Sequence, residues 1–153
     1  MSSPSVEPHK SSLGLDANLM VLIAYFGGVA IGWIGGLRYL AWLVPVVIFV
    51  LEKNSRFVRF HAMQSFTLGL VGLGLAILVT LIAGTFIISP TTGSLGALAF
   101  VGTLATLVSL VLLVMAVVAA LQGMQYKEYK LPVVGGIAEK LAQALEGAVH
   151  RDG

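Results

Sequence analysis

The segment that decides the fold is Glu52-Lys-Asn-Ser-Arg-Phe-Val-Arg-Phe-His-Ala-Met-Gln-Ser65, a polar stretch between two long apolar runs. Hydrophobic residues make up 58% of the 153 residues and charged residues only 10%, whereas soluble domains carry about 25% charged residues. From Ala62 to Met124 no Asp, Glu, Lys or Arg occurs. A soluble protein could not cover its surface with such a sequence, so the chain is predicted to lie in a lipid bilayer.

Composition and charge exclude several kinds of site. The net charge is only +2 and no basic run is interleaved with aromatic residues, so we expect no nucleic-acid partner. The chain has no cysteine, which removes thiol catalysis and cysteine-based metal sites. His9, His61 and His150 lie far apart in the sequence, and no carboxylate lies within a span beside His61. We therefore predict no catalytic residue, no metal and no cofactor.

Four apolar segments predict an all-α membrane protein with a four-helix transmembrane bundle, made of a short first hairpin and two longer spans. The predicted transmembrane domain covers residues 18–124, with spans at about 18–35, 39–51, 60–88 and 95–123. A crossing needs about 20 apolar residues, and the first two segments together offer only about 34. They form either a tight hairpin turning at Gly35-Gly36, which we favour, or one long helix kinked at Pro45.

The distribution of charge predicts that both termini are cytoplasmic, because cytoplasmic loops are enriched in Lys and Arg. Four crossings leave only Arg38 outside. They place the other basic residues inside, namely Lys10, Lys53, Arg56, Arg59, Lys127, Lys130, Lys140 and Arg151. Three crossings would move Lys10 outside and fit the rule only slightly less well, so that alternative stays open.

The two ends of the chain are predicted to lie outside the bilayer. Residues 1–17 are polar, rich in Ser and Pro, and lack the order of a signal peptide, so we predict a disordered cytoplasmic tail. Residues 125–153 are predicted to form a cytoplasmic tail with an amphipathic helix. Its apolar residues recur at helical spacing, at Ile137, Ala138, Leu141, Ala144, Leu145 and Ala148. This helix folds back on the bundle, lies on the membrane surface or binds a partner.

Two stripes of small residues predict close helix packing, since small side chains let helix backbones approach in lipid. One stripe lies on the first segment, at Ala24, Gly28 and Gly32. The other lies on the fourth segment, at Gly102, Thr106, Ser109, Ala116 and Ala120. The second stripe either packs within the monomer or forms a pore-lining or dimerising face.

His61 and Gln64 are the candidate site. If a helix starts near Arg56, His61 and Gln64 share one face and Arg59 lies on the opposite face. The pair is then either a polar vestibule at the cytoplasmic side or a structural hydrogen-bonding group at the start of the helix. Arg59, together with Lys53 and Arg56, is predicted to contact lipid phosphates.

The same segment carries a family resemblance. Phe57-Val-Arg-Phe-His-Ala-Met-Gln-Ser65 resembles the signature of the Tic-twenty family, a small membrane subunit of the chloroplast import machinery, and is more similar to that family's bacterial relatives. Residues 122–132 and 135–138 are similar to the tail of the bacterial members, and the likeness covers roughly residues 15–142. The resemblance implies a four-helix membrane bundle in a bacterial inner membrane, and implies protein translocation as a hypothesis.

Function is predicted only coarsely. The leading interpretation is a non-enzymatic, multi-pass membrane protein that acts as a helper or scaffold in a membrane assembly. The alternatives are an oligomeric channel or translocation component, and a membrane-bound enzyme. The predicted partners are the lipid bilayer and either a second copy of the chain or another membrane protein.

Overall fold

The structure is a computed structural model and describes residues 4–35, 40–88 and 94–149. Within those ranges it contains five α-helices and a short 3-10 turn. The helices are α1 (Ala17–Gly32), α2 (Val44–Leu51), α3 (Arg56–Ile88), α4 (Ser94–Met124) and α5 (Val134–Val149), and the 3-10 turn, Ala41–Leu43, precedes α2. The described residues form no strand beyond two isolated bridges, Ser5 with Lys127 and Lys10 with Asp16. The all-α prediction is confirmed for this part of the chain.

Helices α3 and α4 form the long axis of the molecule. Their apolar stretches, Arg56–Phe86 and Leu95–Met124, contain 31 and 30 residues, and each is long and apolar enough to cross a membrane. At 1.5 Å per residue each stretch is about 45 Å long. The two helices pack against each other, yet large apolar side chains such as Leu81 and Leu107 stay exposed along them. In a bilayer these side chains face lipid.

Helices α1 and α2 form a short hairpin. They pack against each other, and Gly28 lies so close to the Ala41 carbonyl that a Cβ there would sit 2.6 Å from its oxygen. Pro45 lies in the first turn of α2, where its missing N–H costs nothing. The single kinked helix is therefore wrong. Of the predicted turn, Gly35 has a positive φ of 30°, and Gly36 lies outside the described residues.

The hairpin is much shorter than the two spans beside it. Helix α1 has 16 residues and α2 has 8, less than the roughly 20 that a crossing needs. A cavity of about 880 Å³ opens beside it, lined by Gly28 and Gly32 of α1, Trp42, and Leu73 of α3. Among the described residues, α3 and α4 are the two helices long enough to cross a membrane. The four-helix transmembrane bundle is not confirmed.

The N-terminal segment follows a defined path instead of forming the predicted disordered tail. Residues 4–16, which we call the N-terminal strap, are held by backbone hydrogen bonds: the N–H of Val6 donates to Tyr126 O at 2.8 Å and the N–H of Glu128 to Pro4 O at 3.0 Å. The strap also reaches the 52–55 loop, because the N–H of Lys53 donates to Ser12 Oγ at 2.8 Å. Its Ser-rich composition misled the prediction because these partners lie far away in sequence.

The strap also bears on how many times the chain crosses the membrane. Ser12 and Lys53 are hydrogen-bonded, so the N-terminal strap and the loop before α3 lie at the same end of the molecule. The alternative with three crossings would put them on opposite sides of the membrane, so this contact is easier to reconcile with an even number of crossings. The number of crossings stays a prediction.

Helix α5 folds back onto α3. Ala138 is buried in one core with Met63 and Phe57, and Leu141 and Ala142 pack against it. Val134 joins a second core with Leu68 of α3 and Ala119 of α4. The folded-back position is the first of the three arrangements that the amphipathic pattern allowed.

Candidate functional site

The start of α3 fixes the direction of every side chain in the candidate site. Ser55 caps the helix, because its Oγ accepts a hydrogen bond from the N–H of Val58 at 3.2 Å. Helix α3 then begins at Arg56, which is the start that the assignment of helix faces assumed and lies four residues before the predicted span. From this start His61 and Gln64 project into the protein, and both are 0% exposed.

Glu52 is a buried carboxylate that joins the loop before α3 to the strap. It is 1% exposed and accepts hydrogen bonds from the backbone N–H and the hydroxyl of Ser12 at 3.0 and 2.8 Å. The N–H groups of Asn54 and Ser55 donate to the same oxygen at 3.0 and 2.9 Å. Burial alone would raise the pKa of Glu52, but these donors outweigh it and lower the pKa from 4.5 to about 2.

A second contact ties the strap to the same cap. His9 Nε2 lies 2.7 Å from Ser55 Oγ, and His9 Nδ1 lies 2.8 Å from Glu7 O. The His9 ring packs edge-on against Phe57, with ring centroids 6.1 Å apart. Strap, loop and helix start therefore form one hydrogen-bonded unit.

His61 holds the chain that follows α4. Its Nε2 donates to the Lys127 carbonyl at 3.1 Å, and its ring is packed edge-on by Phe57 and Phe60 at 4.8 and 5.3 Å between centroids. Nδ1 has no hydrogen-bond partner within the described residues. Gly123 lies beside the ring, where an added Cβ would be 3.5 Å from His61 Cε1 and would collide with Val21.

Both the nitrogen and the oxygen of the Gln64 side-chain amide form hydrogen bonds with neighbouring segments. Its Nε2 donates to the Tyr129 carbonyl at 3.1 Å and to the Tyr25 hydroxyl at 2.9 Å. Its Oε1 accepts from the N–H of Leu131 at 3.0 Å. Residues 125–133, which we call the return segment, contain no helix, so their backbone groups need such partners where the chain lies against buried helices. His61 and Gln64 supply them.

These contacts bear on the two interpretations of His61 and Gln64, the polar vestibule and the structural hydrogen-bonding group. Neither side chain has exposed surface, so His61 and Gln64 do not line an open vestibule. Their polar atoms face the return segment because helix periodicity turns them away from lipid. The contacts agree with the structural interpretation, hydrogen bonding at the start of α3, and a functional role for the pair stays a prediction.

Of the three residues predicted to contact lipid phosphates, Arg59 has protein partners instead. Its guanidinium lies 2.6 Å from Glu146 Oε1 of α5, and its Cζ lies 4.6 Å above the Phe49 ring. Folding α5 back onto α3 brings Glu146 to this arginine. Lys53 and Arg56 are exposed, and their contact with lipid phosphate stays a prediction.

The two small-residue stripes behave differently. On α1, Ala24 is buried and Gly28 and Gly32 face Ala41, so this stripe packs within the monomer. On α4 the stripe divides: Ala120 is buried, Ala116 is half-buried, and Gly102, Thr106 and Ser109 are exposed. The Thr106 and Ser109 hydroxyls donate to carbonyls of their own helix.

Sequence reasoning missed the role of Glu52, Ser12 and Tyr25. A signal for Glu52 was available, because it is the only acidic residue between Asp16 and Glu128, and a single carboxylate in so apolar a chain needs partners. No local pattern marks Ser12 or Tyr25. For metals, the described residues contain no group of three or more His, Asp or Glu that could hold an ion.

The chain matches a known protein family over most of its length. A model of the magnetosome magnetite crystal formation protein family, MamF/MmsF, matches residues 16–137. The chain belongs to this family. The match runs from the start of α1 into α5 and includes Glu52, His61 and Gln64, whereas residues 4–15 of the strap lie outside it.

A curated relative supports membrane residence. The chain is 39% identical over 59 residues to a UPF0132 membrane protein of Methanocaldococcus jannaschii. That alignment covers 39% of this chain and 42% of the relative, so the chain spans less than half of the relative's length. No solved structure matches.

These matches correct the family resemblance. Nothing in them points to the Tic-twenty family, and the family match from residue 16 to residue 137 replaces it. The short Phe57–Ser65 motif that suggested Tic-twenty forms the start of α3. It combines a helix start at Arg56 with inward polar residues, and so short a pattern did not discriminate between families of small membrane proteins.

Proposed function

We propose that this MamF/MmsF family protein is a non-enzymatic integral membrane protein that acts as a scaffold in a membrane assembly. One observation carries the proposal: Glu52, Gln64 and the Nε2 of His61 are buried and form hydrogen bonds that join separate segments of the chain. Such groups give a rigid, unique arrangement. A scaffold requires such a rigid arrangement in the part of the molecule where the strap, the 52–55 loop and the return segment meet.

The remaining surface supports the same role. Helices α3 and α4 expose large apolar side chains along most of their length, including Leu78, Leu81, Leu104 and Val111. These faces can contact lipid or the spans of other membrane proteins. A rigid polar end with long apolar faces suits a protein that holds partners in place.

The proposed topology places α3 and α4 across the bilayer, with the α1–α2 hairpin inserted from the same end without completing its crossings. Helix lengths support this arrangement. We also place this end in the cytoplasm of a bacterium, at the inner membrane, because the exposed Lys53, Arg56 and Lys140 lie there.

The family description suggests which assembly is involved. It concerns the formation of magnetite crystals in magnetosomes. The proposed role for this chain is to organise membrane components of that process, and not to perform a chemical step.

Affinity capture from native membranes tests the scaffold. The tagged full-length chain and the Gln64→Leu variant are isolated after cross-linking, with Gln143→Leu on the exposed face of α5 as the matched control. The expected result is a membrane-protein partner in fixed stoichiometry with wild type and Gln143→Leu, and its loss with Gln64→Leu. Wild-type protein that arrives without a stoichiometric partner contradicts the proposal, and so does a catalytic activity that co-purifies with the chain and disappears in His61→Ala.

A further inference from the structure

The return segment runs back along the membrane-facing helices before α5 begins. After α4 ends at Met124, the chain reverses at Tyr126, whose φ is 57°. Leu131 then packs with Leu68 and Ala119. Val133 and Leu112 line one apolar cavity of about 500 Å³. Leu112 lies twelve residues before the end of α4, which is about 18 Å along the helix.

Val133 stands out in this segment. It is 81% exposed, although it is apolar. Its φ is 63°, a left-handed conformation that is unfavourable for a β-branched residue and that Gly or Asn would adopt with less strain. The backbone strain is the same in any medium, but an exposed valine side chain has a lower free energy in lipid than in water. The exposure of Val133 therefore favours an apolar surrounding.

The neighbours of Val133 indicate what that medium is. Val114 and Val118 of α4 line the same cavity and are themselves exposed on a helix long and apolar enough to cross the membrane. The exposed valine therefore continues the lipid-facing surface of α4. One turn beyond it, Ile137 of α5 lines the same cavity and is 43% exposed.

Two of the three charged residues of α5, Glu139 and Glu146, lie away from Ile137, whereas the exposed Lys140 follows Ile137 by three residues and can extend its charge beyond the apolar side chains. Glu139 and Glu146 pair with Lys130 and Arg59, and Gln143 shares a separate cavity of about 420 Å³ with Arg59 and Glu146. Helix α5 thus has one flank bound to charged groups of the protein, while Ile137 on another flank lies with Val133 of the return segment beside α4.

We propose that Val133 and Ile137 form a lipid-inserted edge, so that α5 starts at the depth of the bilayer interface and leaves the membrane along α3. The occupant at this edge is the acyl region of the surrounding lipid. The inference depends on the membrane location of the family and not on the scaffold role, so each can fail without the other.

The chain has no cysteine, which allows a direct test with single labels. Val133→Cys, Ile137→Cys and the control Gln143→Cys are labelled with an environment-sensitive fluorophore in nanodiscs that hold one chain each. Lipids carrying a nitroxide near the top of the acyl chain should quench labels at 133 and 137 at least threefold more than the label at 143. Aqueous iodide should show the reverse order.

Two results would overturn the lipid-inserted edge. In one, iodide quenches labels at 133 and 137 as strongly as the label at 143. In the other, neither quencher reaches 133 and 137, which means that protein and not lipid covers them. Because 133 and 137 are exposed positions, thermal unfolding midpoints close to wild type confirm that the labelled variants are folded.

Discussion

The two ends of the helix pair α3–α4 are built on different principles. At one end the N-terminal strap, the 52–55 loop and the return segment are joined by buried hydrogen bonds from Glu52, His61 and Gln64. In the far halves of α3 and α4, hydroxyls such as Thr80 and Thr106 donate to their own helix, and most apolar side chains are exposed. The first end depends on specific partners, whereas the second requires only lipid.

The largest effect is expected from Gln64→Leu. The change leaves the Tyr129 carbonyl, the Leu131 N–H and the Tyr25 hydroxyl without the Gln64 amide. Each buried polar group left without a partner costs about 1–3 kcal/mol, so the free energy of unfolding should fall by roughly 3 kcal/mol or more. Denaturant unfolding in detergent micelles, followed by circular dichroism, measures this loss.

Thr80→Val in the far half of α3 is the matched control for Gln64→Leu. Its hydroxyl is exposed and bonds only to Ala76 O of its own helix, so the change should cost less than about 0.5 kcal/mol. Equal losses in the two variants would remove the distinction between the two ends.

The lowered pKa of Glu52 predicts that the fold is less stable at acidic pH. Its pKa is lowered from 4.5 to about 2, so the ionised carboxylate stabilises the fold above pH 4.5. That stabilisation is lost progressively as the pH falls from 4.5 towards 2. Thermal unfolding midpoints measured between pH 7 and about pH 3 should therefore fall in the wild type.

Glu52→Gln should be less stable than wild type at pH 7 and should show a much flatter dependence on pH. Glu139→Gln is the control, since Glu139 forms an exposed pair with Lys130 and should retain the wild-type pH profile. A Glu52→Gln profile as steep as that of the wild type would assign the acid sensitivity to other carboxyl groups.

The same substitution, Gly→Ala, at two positions of α4 tests the difference between the two ends. A Cβ at Gly123 would collide with Val21 of α1, whereas a Cβ at Gly102 meets nothing within 4 Å. Gly123→Ala should therefore destabilise by about 1–3 kcal/mol through overpacking. Gly102→Ala should stabilise by up to about 1 kcal/mol through helix propensity. Opposite signs in thermal unfolding support the comparison, and a stable Gly123→Ala would refute close packing at α1.

Among the contacts that join separate segments, the smallest effect is expected from the partly exposed ion pair between Arg59 and Glu146. Glu146→Gln should cost less than about 1 kcal/mol, because exposed pairs are screened by water and salt. The difference from wild type should shrink further between 50 mM and about 1 M salt. A large, salt-independent loss would show that α5 depends on this pair more than on Ala138 and its apolar neighbours.

Local patterns in the sequence predicted much of the fold. Long apolar runs located most of α3 and α4, and helical spacing located α5. Periodicity also placed His61 and Gln64 on one inward face. Each of these features depends on residues that are close together in the chain.

The features that the sequence did not reveal depend on distant pairs. Ser12 meets Glu52 across 40 residues, and Gln64 meets Leu131 across 67. A hydroxyl or an amide carries no sign of which distant group it will bond. The apolar run after Asn18 likewise does not show that α1 stops at Gly32, because tight packing against Ala41 sets the shape of the hairpin.

The strap has a consequence for how the protein is made. Its Ser12 can meet Glu52 once residue 52 has left the ribosome, but Val6 and Pro4 bond to Tyr126 and Glu128, which are synthesised only after α4. Residues 4–6 therefore cannot form these hydrogen bonds until residues 126–128 have been synthesised. Docking of the strap completes only after residues 126–128 have been synthesised and packed beside it, so a chain in which α4 has not folded would leave residues 4–6 open to proteases.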